Sequence, residues 1–293
     1  MLPTLREIVA KSAAYLAGAG LTAPRLEAEL LIGAAIGLDR IQLYVQYDRP
    51  LAETEIQTMR ELLRARAKER VPIAYLTGRK YFLGHALSVP RGVFIPRPET
   101  EELVEAAVTR LSAIGVTQDQ PLEILDLCTG TGAISLALAK KYGRATILAV
   151  DLSPLAVRAA EDNVKRFQLE GRLTVRQGDL WEAVPQNRVF DLIISNPPYI
   201  PSALIAGLPA EIREHEPHLA LDGGEDGLLF YHRILSTSGR YLRPGGLVAL
   251  EHGEDQGRPI ADLARHYGLD RVAQHDDLSG CPRILLAQKE SSS

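Results

Sequence analysis

Glu123-Ile-Leu-Asp-Leu-Cys-Thr-Gly-Thr-Gly132 is a short apolar run that ends in a glycine-rich turn, and a helix-forming segment follows from Ala133 to Lys140. The run has the length of a buried strand, and the glycines mark a turn. Strand, turn and helix in that order open a parallel α/β sheet. Glycine lets the backbone approach a ligand closely, and a helix start favours a negative group. Gly-x-Gly alone is weak evidence for a nucleotide site. A dinucleotide fingerprint asks for a third glycine, and Ser135 stands there.

Working outward, Ala145 to Val150 reads as a second buried strand that ends in Asp151. That acid falls about twenty residues beyond the turn, where a ribose-binding carboxylate is expected. Leu152 follows it. Leu173 to Gln177 is a third strand, ending at Gly178-Asp179-Leu180. Asp179 there could accept from an adenine amino group, with Leu180 against the ring. Leu192 to Ile194, preceded by Val189 and Phe190, is a fourth strand that stops at Asn196-Pro197-Pro198-Tyr199. A residue before proline is pushed out of the helical region, so Asn196 is held extended on a stiff backbone. The Asn196 side-chain oxygen and the Pro197 carbonyl are two acceptors that match the two donors of an –NH₂ group. Tyr199 adds an aromatic face. The same four residues could simply open a loop. What favours a site is that all four strand ends would meet at the carboxyl edge of one sheet, where ligands bind in such folds.

Asp126-x-Cys-x-Gly-x-Gly132, Asp151, Asp179 and Asn196-Pro-Pro-Tyr199 resemble the S-adenosylmethionine-dependent methyltransferases that act on planar –NH₂ groups. More narrowly, the chain is similar to the peptide chain release factor N5-glutamine methyltransferases. That similarity rests on Phe94-Ile-Pro-Arg-Pro-Glu-Thr-Glu-Glu102, on Arg213 to Gly227, and on Leu26-Glu-Ala-Glu-Leu-Leu31 and Ala74-Tyr-Leu-Thr-Gly-Arg79. The resemblance implies a Rossmann-like, seven-stranded class I methyltransferase domain behind a small N-terminal helical bundle. It implies S-adenosylmethionine as cofactor and S-adenosylhomocysteine as product. The implied substrate is the glutamine of the Gly-Gly-Gln motif in class I release factors. Cys128, Thr129, Gly130, Thr131, Gly132, Asp151, Leu152, Asp179, Leu180 and Asn196 are the expected cofactor contacts, and Asn196 to Tyr199 the catalytic and substrate-binding residues. Two alternatives share the Asn-Pro-Pro-Tyr site: a ribosomal-protein glutamine methyltransferase and a nucleic-acid adenine methyltransferase.

The 293 residues suffice for two domains, and the formal charge of −4 gives no general drive toward nucleic acid. No sequence-specific nucleic-acid binding is expected. Two cysteines, Cys128 and Cys281, make neither a disulfide framework nor a zinc set. No apolar run reaches the ~18 residues of a membrane span. Arg6, Glu7 and Lys11 come too early for a signal peptide, so the reading expects a cytoplasmic monomer.

Residues 1–80 read as a small helical bundle, either a structural cap on the catalytic domain or a docking domain for a protein substrate, and the resemblance implies docking. Its apolar stripes are Leu5, Ile8, Val9 and Leu16; then Leu26, Leu30, Leu31, Ala34 and Leu38; then Ile56, Met59, Leu63 and Ala67. Arg60 to Lys80 carries a basic excess that suits a solvated helix face, an acidic partner or RNA. Residues 81–96 read as a hairpin linker with strands at Tyr81–Leu83 and Val93–Ile95, and 97–290 as the methyltransferase domain. Phe94, Pro96 and Arg97 are expected to border the cofactor pocket. Residues 200–227 read as a flap beside the substrate slot, whose His and acidic residues match no zinc spacing. Leu228 to Leu242 suits a helix and Leu247–Leu250 a fifth strand. Arg271–Gln274 and Ile284–Ala287 are too close in sequence for a crossover helix, so they should pair antiparallel. Ser291 to Ser293 are expected to be disordered.

Overall fold

A computed structural model describes residues 2–290, so the expectation for Ser291 to Ser293 lies outside the described residues. The chain divides into two compact units. One holds residues 1–79 together with 209–215, and the other holds 80–208 and 216–293.

The first unit contains α1 (Leu5–Gly18), α2 (Pro24–Ile36), α3 (Arg40–Val45), α4 (Glu53–Glu69) and α5 (Ile73–Thr77). Thr4 caps α1 through a reciprocal pair with Glu7, which satisfies two amides at the helix start. Leu5, Val9, Ile32, Leu43, Leu51 and Met59 make one apolar cluster, and Leu16, Ala28, Leu31, Leu63 and Ala67 a second. The expected stripe of α2 is therefore rotated. Leu26 is exposed, while Glu29 is buried on the same helix. Glu29 is tolerated inside because Tyr44, Arg40 and Arg25 donate to it. Those donors hold its carboxyl below the ordinary value although burial pulls the other way. Arg60, Arg64, Lys68 and Arg79 are exposed, as a solvated face expects, and Arg66 is the exception. It is buried, bonded to Glu27 and to Glu211 of the 209–215 segment.

The second unit opens with a hairpin of β1 (Arg79–Phe82) and β2 (His85–Ser88). The second hairpin strand is thus not Val93–Ile95. Leu83 and Gly84 both take positive φ, 44° and 78°, which is what a tight two-residue turn requires, so the chain returns at once. Val93 instead packs on Ala156 and Ala159.

There follow α6 (Pro98–Ala113), β3 (Glu123–Leu127), α7 (Ala133–Lys141), β4 (Thr146–Asp151), α8 (Pro154–Arg166), β5 (Leu173–Gln177) and β6 (Phe190–Ser195). After the single turn α9 (Ala210–Arg213), which sits in the helical unit, come α10 (Leu229–Tyr241), β7 (Leu242–Glu251), α11 (Gly257–His266), β8 (Leu269–Asp276) and β9 (Pro282–Lys289). The seven strands β3–β9 lie in the order β5-β4-β3-β6-β7-β9-β8. Pairs up to β6–β7 are parallel, while β7–β9 and β8–β9 are antiparallel. This is the seven-stranded methyltransferase sheet with its reversed edge. Pro244-Gly-Gly lies within β7, and the register with β6 shifts between Phe190–Leu242 and Leu192–Leu247. That irregularity lets β7 begin at Leu242, earlier than the expected Leu247.

The interiors of β3, β4, β6 and β7 are near-continuous apolar runs, as the centre of a sheet covered by helices on both faces requires, while the edge strands β5 and β8 are largely polar and exposed. Strand order reverses at β3, with β4 on one side and β6 on the other, and this switch point positions the site. Among the described residues, no helix is long and apolar enough to cross a membrane.

Candidate active site

A cavity of about 130 Å³, partly open to solvent, lies at the carboxyl ends of β3, β4, β5 and β6. From β3 it receives Cys128, Thr129, Gly130 and Thr131. Gly132 is outside the lining. At φ 79° it caps α7, and a Cβ there would lie 3.3 Å from the Cβ of Ala160. The turn is tied down by Asp126, which has no exposed surface. Its Oδ2 accepts from Thr129 Oγ1 at 2.6 Å, Ser135 Oγ at 2.7 Å and Ser135 N at 3.2 Å. Ser135 therefore stands where a dinucleotide fold has glycine because it anchors the first turn of α7. Burial pushes the Asp126 carboxyl up to about 6, against the pull of those donors.

Asp151 ends β4 in the cavity wall. Gly130 N donates to its Oδ2 at 2.8 Å and Ser153 N to its Oδ1 at 2.9 Å. Burial raises its pKa, and the backbone donors oppose the rise. Leu152, Leu180 and Phe94 add apolar walls, and Pro96 lines the cavity too. Asp179 is in the lining with its Oδ1 2.8 Å from Arg233 Nη2. Arg97 does not reach the lining. It pairs with the buried Glu216 of the flap, and its guanidinium sits 4.8 Å from the Phe94 ring centre. Thr131 Oγ1 is buried with no hydrogen-bond partner among the described residues. An unpartnered hydroxyl, a carboxylate and flat apolar walls in one cavity fit a nucleoside-bearing cofactor.

Asn196, Pro197, Pro198 and Tyr199 leave β6 in the wall of the same cavity. Asn196 Nδ2 donates to Thr100 Oγ1 at 3.0 Å, and Thr100 Oγ1 donates to Glu251 Oε2 at 2.7 Å. The Tyr199 carbonyl accepts from Gln256 Nε2 at 2.9 Å. The segment expected to be a flap is partly ordered as 3₁₀ turns at Ser202–Gly207 and His218–Ala220, besides α9. Its glycines return onto the site, since a Cβ at Gly223 would lie 2.8 Å from the Tyr199 backbone. Among the described residues, no group of three or more His, Cys, Asp or Glu could hold a metal. The Cys128 thiol is pushed well up by burial, beside Asp151, so it is a packing residue and not a nucleophile.

Sequence reasoning missed Thr100, Glu251 and Asn163. Glu251 had a usable signal, because it follows a buried strand as Asp151 does. Asn163 had none, since nothing marks it among the polar residues of α8.

Residues 7–78 match the PrmC N-terminal domain and residues 105–206 the Methyltransferase small domain. The release factor glutamine methyltransferase of Moorella thermoacetica is 40% identical over 287 residues, 98% of this chain and 99% of its own. That of Geobacter sulfurreducens is 39% identical over 282 residues, 96% of this chain and 95% of its own. Among solved structures, the T. thermophilus 16S rRNA N2 G1207 methyltransferase in complex with AdoMet and guanosine aligns with a TM-score of 0.53 at 21% identity, covering 72% of this chain and 50% of that one. At that identity the likeness speaks for the fold.

Proposed function

The chain belongs to the release factor glutamine methyltransferase family, and we propose that it methylates the side-chain amide nitrogen of the Gly-Gly-Gln glutamine in class I peptide chain release factors, with S-adenosylmethionine as donor. The observation that carries this reading is a single cavity. It joins Asp151 and the Gly130 turn, suited to a nucleoside, with Asn196 and Pro197, suited to a planar –NH₂.

The cofactor supplies a methyl group on a cationic sulfur. Asp151 accepts from the ribose hydroxyls, using lone pairs left over from its two backbone donors. Asp179 accepts from the adenine amino group through the oxygen outside its Arg233 pair, and Leu152 and Leu180 cover the ring. Cys128 to Thr131 bring backbone close to the rest of the cofactor. Asn196 Oδ1 and the Pro197 carbonyl accept the two N–H bonds of the glutamine amide, and Tyr199 lies against its plane. An amide nitrogen is a poor nucleophile because its lone pair is delocalised, so alignment matters most. Positioning of this kind supplies ~7–11 kcal/mol in favourable cases. As positive charge develops on nitrogen its N–H bonds become better donors, so the two acceptors favour the transition state over the ground state, and the methylated nitrogen, now far more acidic, releases one proton to water. The helical unit is the docking element for the protein substrate.

Asn196→Ala is expected to keep cofactor affinity and to cut methyl transfer by roughly 10²–10³. Mass spectrometry of release factor after incubation with enzyme and labelled cofactor tests the assignment. The label should fall on the glutamine, and a substrate with asparagine there should stay unlabelled. Label on DNA or RNA adenine, with release factor untouched, would overturn the substrate while leaving the cofactor reading intact.

A further inference from the structure

Asn196 poses a problem that its position alone does not solve. The two ends of a carboxamide have nearly the same shape, and a half-turn about the last bond exchanges them. With oxygen toward the cavity, Asn196 accepts from a substrate –NH₂. With nitrogen toward the cavity, it opposes donor to donor and the site is disabled.

Thr100 does not choose between these states by itself, because a hydroxyl both donates and accepts. The choice comes from the residue behind it. Glu251 is 1% exposed and its Oε2 lies 2.7 Å from Thr100 Oγ1. In its ionised form, which prevails above its raised pKa of about 7, the carboxylate only accepts, so it claims the Thr100 proton. The hydroxyl then faces Asn196 with lone pairs alone and takes its Nδ2 at 3.0 Å. The amide oxygen is the end that remains for the cavity. The three side chains come from α6, from the end of β6 and from the end of β7, and 96 and 151 residues separate Thr100 from its two partners.

We propose that Glu251, acting through Thr100, is a positioning residue that fixes the Asn196 side chain with its oxygen toward the substrate amide. This rests on the assignment of Asn196 as acceptor for that amide. Neither Thr100 nor Glu251 carries a proton in the reaction. Their contribution is the direction of two hydrogen bonds, set before substrate arrives. The positive charge of Arg283 from β9 favours the ionised carboxylate, and the Tyr231 hydroxyl donates to the Glu251 backbone carbonyl at 2.8 Å.

Thr100→Val keeps the shape and removes the hydroxyl, whereas Thr100→Ser keeps the hydroxyl. The valine variant should lose roughly 10- to 100-fold in kcat, with the KM for cofactor within about two-fold of wild type. The serine variant should return kcat to within about three-fold, which lost packing alone would not predict. Glu251→Gln should fall between them, because its amide both donates and accepts and so no longer dictates direction. A second readout needs no substrate. In ¹⁵N spectra of asparagine-labelled protein, the Asn196 side-chain –NH₂ should be protected from solvent in wild type and Thr100→Ser, and exchange faster in Thr100→Val. If Thr100→Val folds and turns over glutamine at the wild-type rate, or its Asn196 amide is as protected as in wild type, the relay is wrong. If wild-type enzyme fails to methylate glutamine yet the amide responds as described, the relay stands and the substrate assignment falls.

Discussion

Replacing Asn163 by leucine should unfasten the cofactor turn from below. Asn163 has no exposed surface. Its Oδ1 accepts from Ser88 N at 2.8 Å, and its Nδ2 donates to the carbonyls of Ser88 at 3.0 Å and Thr131 at 2.9 Å. One side chain thus ties the hairpin strand β2 and the Gly-rich turn to α8. Asn163→Leu keeps the branched outline of the side chain, with somewhat larger methyl groups, and deletes all three bonds. At a net ~1 kcal/mol each, the bonds account for about 3 kcal/mol. The buried Thr131 carbonyl loses this donor, which adds ~1 kcal/mol or more. The extra apolar surface of leucine returns about the same amount. The expected loss is therefore about 3 kcal/mol, which at an m value of ~3 kcal/mol/M lowers the urea midpoint by about 1 M. Because Thr131 lines the cavity, calorimetry should also show S-adenosylmethionine binding weakened by about ten-fold, or ~1.4 kcal/mol. A urea midpoint within about 0.3 M of wild type would refute the claim that these bonds hold the turn.

Asp151→Ala should weaken cofactor binding by ~1.5–3 kcal/mol through loss of a charge-assisted bond, and unchanged calorimetric affinity in folded protein would remove that role. Gly132→Ala should cost ~1–2 kcal/mol of stability by chemical denaturation, since alanine would have to take φ 79° with its Cβ 3.3 Å from Ala160. The third expectation concerns pH. Burial raises Glu251 from 4.5 to about 7, with Glu99 adding to the rise while Thr100, Arg283 and Asn196 oppose it, and Tyr199 and Tyr231 also stand near. Between those two values the native state binds more protons than the unfolded state, so stability falls as pH rises and levels off above about 7. Glu251→Gln should remove on the order of 3 kcal/mol of that decline, read as the difference in unfolding free energy between about pH 5 and about pH 8. Equal declines in the two proteins would refute it.

The sheet was legible because its strands are short apolar runs with glycine and proline at their ends, and periodicity reports burial directly. The antiparallel edge followed from spacing alone, as the gap between β8 and β9 leaves no room for a crossover helix. The hairpin was misplaced because Leu83-Gly84 carries no strong turn signature. A leucine at φ 44° is held there by the fold and not by its own preference. The rotated face of α2 escaped for a related reason. Glu29 is buried only because Arg25, Arg40 and Tyr44 come to it, and two of those lie on or beside another helix, beyond the reach of a single-helix pattern.

Position at the sheet edge also does not by itself tell what an acid is for. Asp126, Asp151 and Glu251 belong to β3, β4 and β7, and burial raises the pKa of each. Their partners separate them. Asp126 spends one oxygen on three donors from its own loop and helix, all within nine residues, and so builds the turn. Asp151 takes one backbone N–H on each oxygen and keeps lone pairs in the cavity wall, which is what a ligand contact needs. Glu251 reaches no cavity surface and bonds to a hydroxyl that is itself bonded to Asn196. Three carboxylates whose pKa burial raises thus act as scaffold, as ligand contact and as orienting group, because the number and kind of donors left to each differ.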